Sequence, residues 1–134
     1  MLVLEKNISQ LIKLLQWKDF EILVDLIFRQ AGWQRVSTIG KTEKTLDLDL
    51  LSPVTNEKSI VQIKSTSNLR EFKEYSNAFK NMHGYSKLFF VVHTPDEQLK
   101  NVTSTDTIKL LLLEHITRLA INAGLIEWII NKSS

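Results

Sequence analysis

Residues 46 to 65 hold two short runs, "LDLDLLS" and "SIVQIKS", separated by the polar stretch "PVTNEK". Side chains alternate across an extended strand, so Leu46, Leu48 and Leu50 share one face while Asp47, Asp49 and Leu51 share the other. The second run divides in the same way, with Val61 and Ile63 on one side and Ile60, Gln62 and Lys64 opposite. A connection of this length suits a hairpin, so the two runs are expected to pair antiparallel. The pair then has one apolar face for a core and one face on which two carboxylates, a carboxamide and an ammonium converge. Burying such groups unpaired costs several kcal/mol per charge. They must satisfy one another, sit in a wet cleft, or hold a cation.

The remaining pattern supplies the layers around that hairpin. Leu4, Ile8, Leu11, Ile12 and Leu15 are spaced for one face of a helix over residues 4 to 16. A second helix is expected to be capped by Asp19, to bury Phe20, Leu23, Val24, Ile27 and Phe28, and to stop at Gly32. Residues 33 to 39 read as a strand and "GKTEKT" as a turn. Ser67 or Asn68 can cap a third helix that reaches about Met82 and is closed by Gly84. The run "KLFFVVH" suits a central strand covered on both faces, and "TPDEQLKNVTST" reads as loop. Asp106 is expected to open a long helix over residues 107 to 123, and "LIEWIINKSS" fits strand or helix. The order ααβββαβα implies an α/β fold, a mixed central sheet flanked by helices, in a single domain over residues 1–134.

Composition bounds the function. Apolar residues make up 43% and charged residues 24%, an ordinary globular balance. With no cysteine, disulfides, thiolate zinc sites and a cysteine nucleophile are excluded together. No apolar run is long enough to span a membrane and no secretory leader is evident, so a cytoplasmic protein without membrane contact is expected. A formal charge of +2 permits nucleic acid as a partner without demanding it.

Carboxylate and carboxamide oxygens suit Mg²⁺, a hard ion that retains water and accepts phosphate oxygens. A nearby lysine can orient or activate an attacking water and stabilise charge on phosphate. That set serves metal-assisted phosphodiester hydrolysis. The segment "LDLDLLSPVTNEKSIVQIKS", with "DFEILVDLIFRQAGW" before it, resembles the PD-(D/E)XK nuclease superfamily, in particular its Mrr-type restriction-endonuclease and Holliday-junction-resolvase-like branches. The resemblance implies a restriction-endonuclease-like core acting as a metal-dependent DNA endonuclease with Mg²⁺ or Mn²⁺. It implies Asp49 as the main metal ligand, Gln62 as the second, Lys64 as the catalytic lysine and Glu21 as the helical glutamate that assists. Asp47 stands in reserve, because the doublet "DLD" leaves the choice of aspartate open.

Arg70, Lys73, Asn77 and Lys80 follow one another by helical steps and can meet DNA phosphates, as can Lys41 and Lys44 in the loop before Asp47. Taken alone, the row reads more readily as a solvated helix face, since Glu71 and Glu74 dilute it. His83, His93 and His115 show no metal-ligand spacing and read as structural, while Trp17, Trp33 and Trp128 read as core or interface anchors. Surplus leucine in the expected last long helix suggests a homodimer, which two-strand cleavage would also require.

Overall fold

The computed structural model describes residues 3–39 and 46–134, with backbone alone at 37–39 and 46–47. The elements are α1 (Val3–Leu14), α2 (Trp17–Gln30), β1 (Gln34–Ile39), β2 (Leu46–Ser52), β3 (Glu57–Ser67), α3 (Leu69–Lys80), β4 (Lys87–Pro95), α4 (Glu97–Lys100), β5 (Ile108–Leu111), α5 (Leu113–Asn122) and α6 (Ile126–Ser133). Five strands form one sheet in the order β1-β2-β3-β4-β5. The first three are joined antiparallel, whereas β4 and β5 add parallel to β3. Parallel neighbours need crossovers, and α3 and α4 lie in them.

Both faces of the sheet are covered. Leu48, Leu50, Val61, Ile63 and Val91 pack against α1, α2, α5 and α6 through residues such as Ile12, Phe20, Leu23, Ile116 and Ile129. On the other face Ile60, Phe90, Val92, Ile108 and Leu110 pack against Phe72 and Phe79 of α3 and Leu99 of α4. This burial is the main stabilising contribution, at about 25 cal/mol per Å² of apolar surface removed from water. A buried Ser9–Thr117 hydroxyl pair, 2.8 Å apart, ties α1 to α5.

The turn between β2 and β3 fixes what faces what. Asn56 takes a left-handed backbone conformation (φ 61°), which asparagine tolerates, and its N–H donates to the Ser52 carbonyl at 2.7 Å. Ser52 is thereby paired with Glu57, and counting back along the ladder puts Asp49 opposite Ile60 and Asp47 opposite Gln62.

Several expectations need correction. Asp19 does not cap α2: the helix begins at Trp17 after Gln16, and Asp19 lies in its first turn. The helix α3 starts behind Asn68 as expected but ends at Lys80, and Gly84 serves a turn beyond it with φ 86°. The stretch read as loop contains the short α4, whose cap is the Asp96 carboxylate accepting from the Leu99 N–H at 2.8 Å. The larger correction concerns residues 107 to 123, where the chain forms β5 and then α5 rather than one helix. Ile108 and Leu110 are buried beside Leu88 and Phe90 of β4, so sheet pairing outweighs the helical spacing of the same leucines. The leucine surplus is therefore largely accounted for inside the fold, and it no longer argues for a second copy. The tail is helical. The expected "GKTEKT" turn lies outside the described residues.

Phe90 is fully buried and meets the rings of Phe72 and Tyr75 at centroid distances of 5.3 and 5.7 Å. Phe90→Ala is expected to lower stability by about 3–5 kcal/mol, read as a shift of the urea midpoint at unchanged slope.

Candidate active site

Alternation along β3 sends Lys58, Ile60, Gln62 and Lys64 to the face covered by α3, with Ile60 already in the apolar cluster there. Asp49 shares this face as the cross-strand partner of Ile60. The three residues expected to form the site thus lie on one side of the sheet. Their individual surroundings differ.

Lys64 has its side chain only 12% exposed, and its Nζ forms an ion pair with Glu71 Oε2. Glu71 is itself anchored. The Ser67 hydroxyl donates to Glu71 Oε1 at 2.9 Å, and the Glu71 N–H donates to the Asn68 side-chain oxygen at 2.9 Å in the α3 cap. Beside them the Tyr75 ring centre lies 5.6 Å from Lys64 Nζ. Burial raises the Glu71 pKa, but hydrogen bonds from Lys64 and Ser67 and the charges of Lys64 and Arg70 outweigh it, leaving the group below its ordinary value. In the sequence Glu71 stands out only as a dilution of the basic row. The available signal was the spacing of Asn68 and Glu71, which matches a helix-opening box, although here the glutamate side chain is directed to Lys64 and Ser67.

Asp49 lies deeper toward the hairpin turn. It is 6% exposed, accepts at Oδ2 from the Tyr85 hydroxyl at 3.1 Å, and has Lys58 Nζ 3.9 Å from the same oxygen. Burial first, and then the hydrogen bond and charge of Asp49, push the Tyr85 hydroxyl pKa up. Lys58 also stands over the Tyr85 ring, 5.1 Å from its centre. This cluster anchors the β2–β3 hairpin to the chain that follows α3.

Gln62 is fully buried, with Asp47 across the ladder on one side and Phe90 on the other. Neither its carboxamide oxygen nor its nitrogen has a hydrogen-bond partner among the described residues. A buried amide left in that state costs on the order of 1–3 kcal/mol per group. An orphaned oxygen opposite an aspartate position is the donor chemistry a hard divalent cation takes, so the residues present fit such an ion. Cβ atoms of directly opposed residues lie about 4.5–5.5 Å apart, whereas diagonal neighbours are about 7–8 Å apart. The register therefore sets Asp47 nearer to Gln62 than Asp49. No cluster of three His, Asp or Glu side chains forms a ready metal cage among the described residues.

Glu21 is half-buried on α2, in the helical layer across the sheet from α3. Its neighbour Phe20 meets the ring of His93 edge-on, with centroids 4.7 Å apart. His93 follows Val92, the register partner of Lys64, so the start of α2 reaches the same end of the sheet. His93 is a packed residue whose pKa is lowered first by burial and then by the Lys13 charge. Trp17, Trp33 and Trp128 all pack against the larger core cluster. Of the basic row, Arg70 is 3.9 Å from Glu74, whereas Lys73, Asn77 and Lys80 line a groove of about 360 Å³ with Thr103 and Thr105. Lys41 and Lys44 lie outside the described residues.

A sequence model of the Mrr_cat family, described as restriction endonuclease, matches the chain over residues 12–110. That is well over half of the chain. The chain belongs to the Mrr_cat restriction endonuclease family. Its fold is restriction-endonuclease-like, and the function of the family is that of a nuclease assisted by divalent metal ions. No curated protein and no solved structure gives a significant match. Among the described residues no helix is long and apolar enough to cross a membrane.

Two outcomes follow from the partners named above. Tyr85→Phe removes the hydroxyl donor from a buried carboxylate and is expected to cost about 1–3 kcal/mol in chemical denaturation at neutral pH. Glu71, with a folded pKa below its ordinary 4.5, contributes stability that is complete above pH 4.5 and is lost as pH falls through the lower folded value. In denaturation midpoints followed against pH, Glu71→Gln should remove that acid-side loss.

Proposed function

We propose that this chain is a divalent-metal-dependent endonuclease that hydrolyses DNA phosphodiesters, using Mg²⁺ or Mn²⁺. The observation that carries the proposal is the Gln62 amide, without a partner among the described residues, opposite the Asp47 position and two residues from Lys64 on the same face of the sheet. Asp47 and the Gln62 oxygen are the residues that would hold the ion, with Asp49 beside them as the second aspartate and hairpin anchor. When bound, the cation supplies charge neutralisation at the scissile phosphate.

Lys64 donates from Nζ to the phosphate or to the attacking water. An ammonium in contact with a carboxylate has no lone pair free to accept a proton, so it acts here by orientation and charge rather than as a base. Glu21, at the same end of the sheet, accepts a hydrogen bond from the water and holds it in line. Lys73 and Lys80, with Asn77 and two threonines along their groove, contact flanking phosphates, and Arg70, Lys41 and Lys44 add to that basic surface. Cutting both strands of a duplex takes two such sites, which a homodimer provides. Intracellular DNA in the cytoplasm is the substrate consistent with a cysteine-free chain.

The second reading, a nucleic-acid-binding module that has lost catalysis, is favoured by one feature: Gln62 brings no charge to the ion. Nicking of supercoiled plasmid with Mg²⁺ or Mn²⁺ separates the two. Cleavage that falls at least ~100-fold in Lys64→Ala and in Asp47→Ala, in folded proteins, supports the enzyme. DNA binding equal in wild type and Lys64→Ala, with no cleavage by either, supports the module.

A further inference from the structure

We propose that the cavity at the carboxyl ends of β4 and β5 is a second binding site, which takes a nucleoside monophosphate through Lys13, His93 and Lys100. It holds about 400 Å³ and is walled by Lys13 of α1, His93 and Thr94 of β4, Lys100 of α4 and Leu112 at the junction of β5 with α5. Ligands of open α/β sheets settle in the crevice outside the carboxyl ends of parallel strands, and this is that crevice. Gln62 and Lys64 face α3 instead, so the cavity needs neither the metal nor the cleavage chemistry.

The charges in its wall point to an anion. Lys13 forms no ion pair among the described residues, and its charge reaches the inside of the cavity, since the His93 pKa is lowered first by burial and then by Lys13. Nδ1 of His93 is taken by the Thr94 hydroxyl at 2.7 Å, which leaves Nε2 as the ring nitrogen open to a ligand. Lys100 is shared with Glu97 at 3.1 Å in an exposed pair, and such pairs are weak enough to be exchanged for a stronger anion. Glu114 is the one carboxylate in the lining, so it opposes binding. Two ammonium groups and an imidazole drawn from three separate elements match a phosphomonoester, which carries between one and two negative charges at neutral pH.

The remaining wall sets the size and the other half of the ligand. Leu112, Leu113 and Pro95 are apolar, while a bare phosphate would touch only the basic side and leave most of the volume to water. Small-molecule sites span about 300–1,000 Å³ and combine an apolar lining with a few polar groups, a combination that suits a base and sugar carried on a phosphate. Two sources present that chemistry: a free mononucleotide, or the phosphorylated end of a DNA strand.

The experiment follows backbone amides by NMR, without metal or DNA, as the protein is titrated with thymidine 5′-monophosphate, with thymidine and with inorganic phosphate. Saturable shifts at Thr94, Leu112 and Leu113 are expected with the monophosphate, at an affinity about tenfold or more above that of either fragment. Lys13→Gln should weaken binding about tenfold, the loss of one charge-assisted hydrogen bond, and Glu114→Gln should tighten it. Both positions are exposed, and unchanged spectra elsewhere show that the variants are folded. A 5′-phosphorylated thymidine dinucleotide then separates the sources: tighter binding than the monophosphate assigns the cavity to a strand end, and weaker binding assigns it to a free nucleotide. No saturable shift around the cavity at millimolar monophosphate overturns the proposal, as do equal affinities in wild type and both variants, or phosphate binding as tightly as the nucleotide. Because no metal is present, this outcome is independent of whether the protein cleaves DNA.

Discussion

The turn at residues 53 to 56 governs the chemistry of this protein although none of its residues belongs to the site. Once Asn56 closes the hairpin and pairs Ser52 with Glu57, every later pairing is set: Asp49 with Ile60, and Asp47 with Gln62. A slip of one residue would send the aspartates of β2 to the face of Leu48 and Leu50, which is packed by helices. The apolar residues enforce the register strongly, since each fully buried leucine or isoleucine side chain contributes about 1.5–3 kcal/mol. The core on one face of the sheet thus holds the polar groups of the other face in alignment.

That alignment has a cost, and the structure offsets it unevenly. Asp49 recovers its lost hydration from Tyr85 and Lys58, and Lys64 does so from Glu71. The Gln62 amide is not so relieved: like the Ser59 hydroxyl on the same strand, it is wholly buried at the centre of the sheet and without a partner among the described residues. A leucine there would pack at no such penalty. A wholly buried carboxamide left unrelieved opposite an aspartate position is the arrangement expected where stability has given way to binding. Membership of a restriction endonuclease family is consistent with the proposed use of that oxygen as a metal ligand.

The hairpin, the two leading helices and the central strand were legible in the sequence because period and turn chemistry agree there. Phe20, Leu23, Val24, Ile27 and Phe28 form the buried stripe of α2 as their spacing implies. Residues 108 to 113 were not legible. Their leucines satisfy the helical period and also fit a short strand buried on both faces, and only the presence of β4 alongside decides between them. Glu71 was hidden for a related reason, because its meaning lies in the ion pair with Lys64 across the strand–helix junction rather than in its helical neighbours. The choice between Asp47 and Asp49 could not be made from a doublet whose members share a face. Which of the two stands opposite Gln62 depends on the turn length, which sets the pairing.

The account stands or falls on where a divalent ion sits. An anomalous difference map from crystals of the wild-type protein soaked in Mn²⁺ is the most direct measurement. The predicted result is a peak on the α3 side of the sheet, coordinated by Asp47 and the Gln62 oxygen and next to Lys64. A peak held elsewhere, or an empty hairpin at millimolar Mn²⁺, would contradict it.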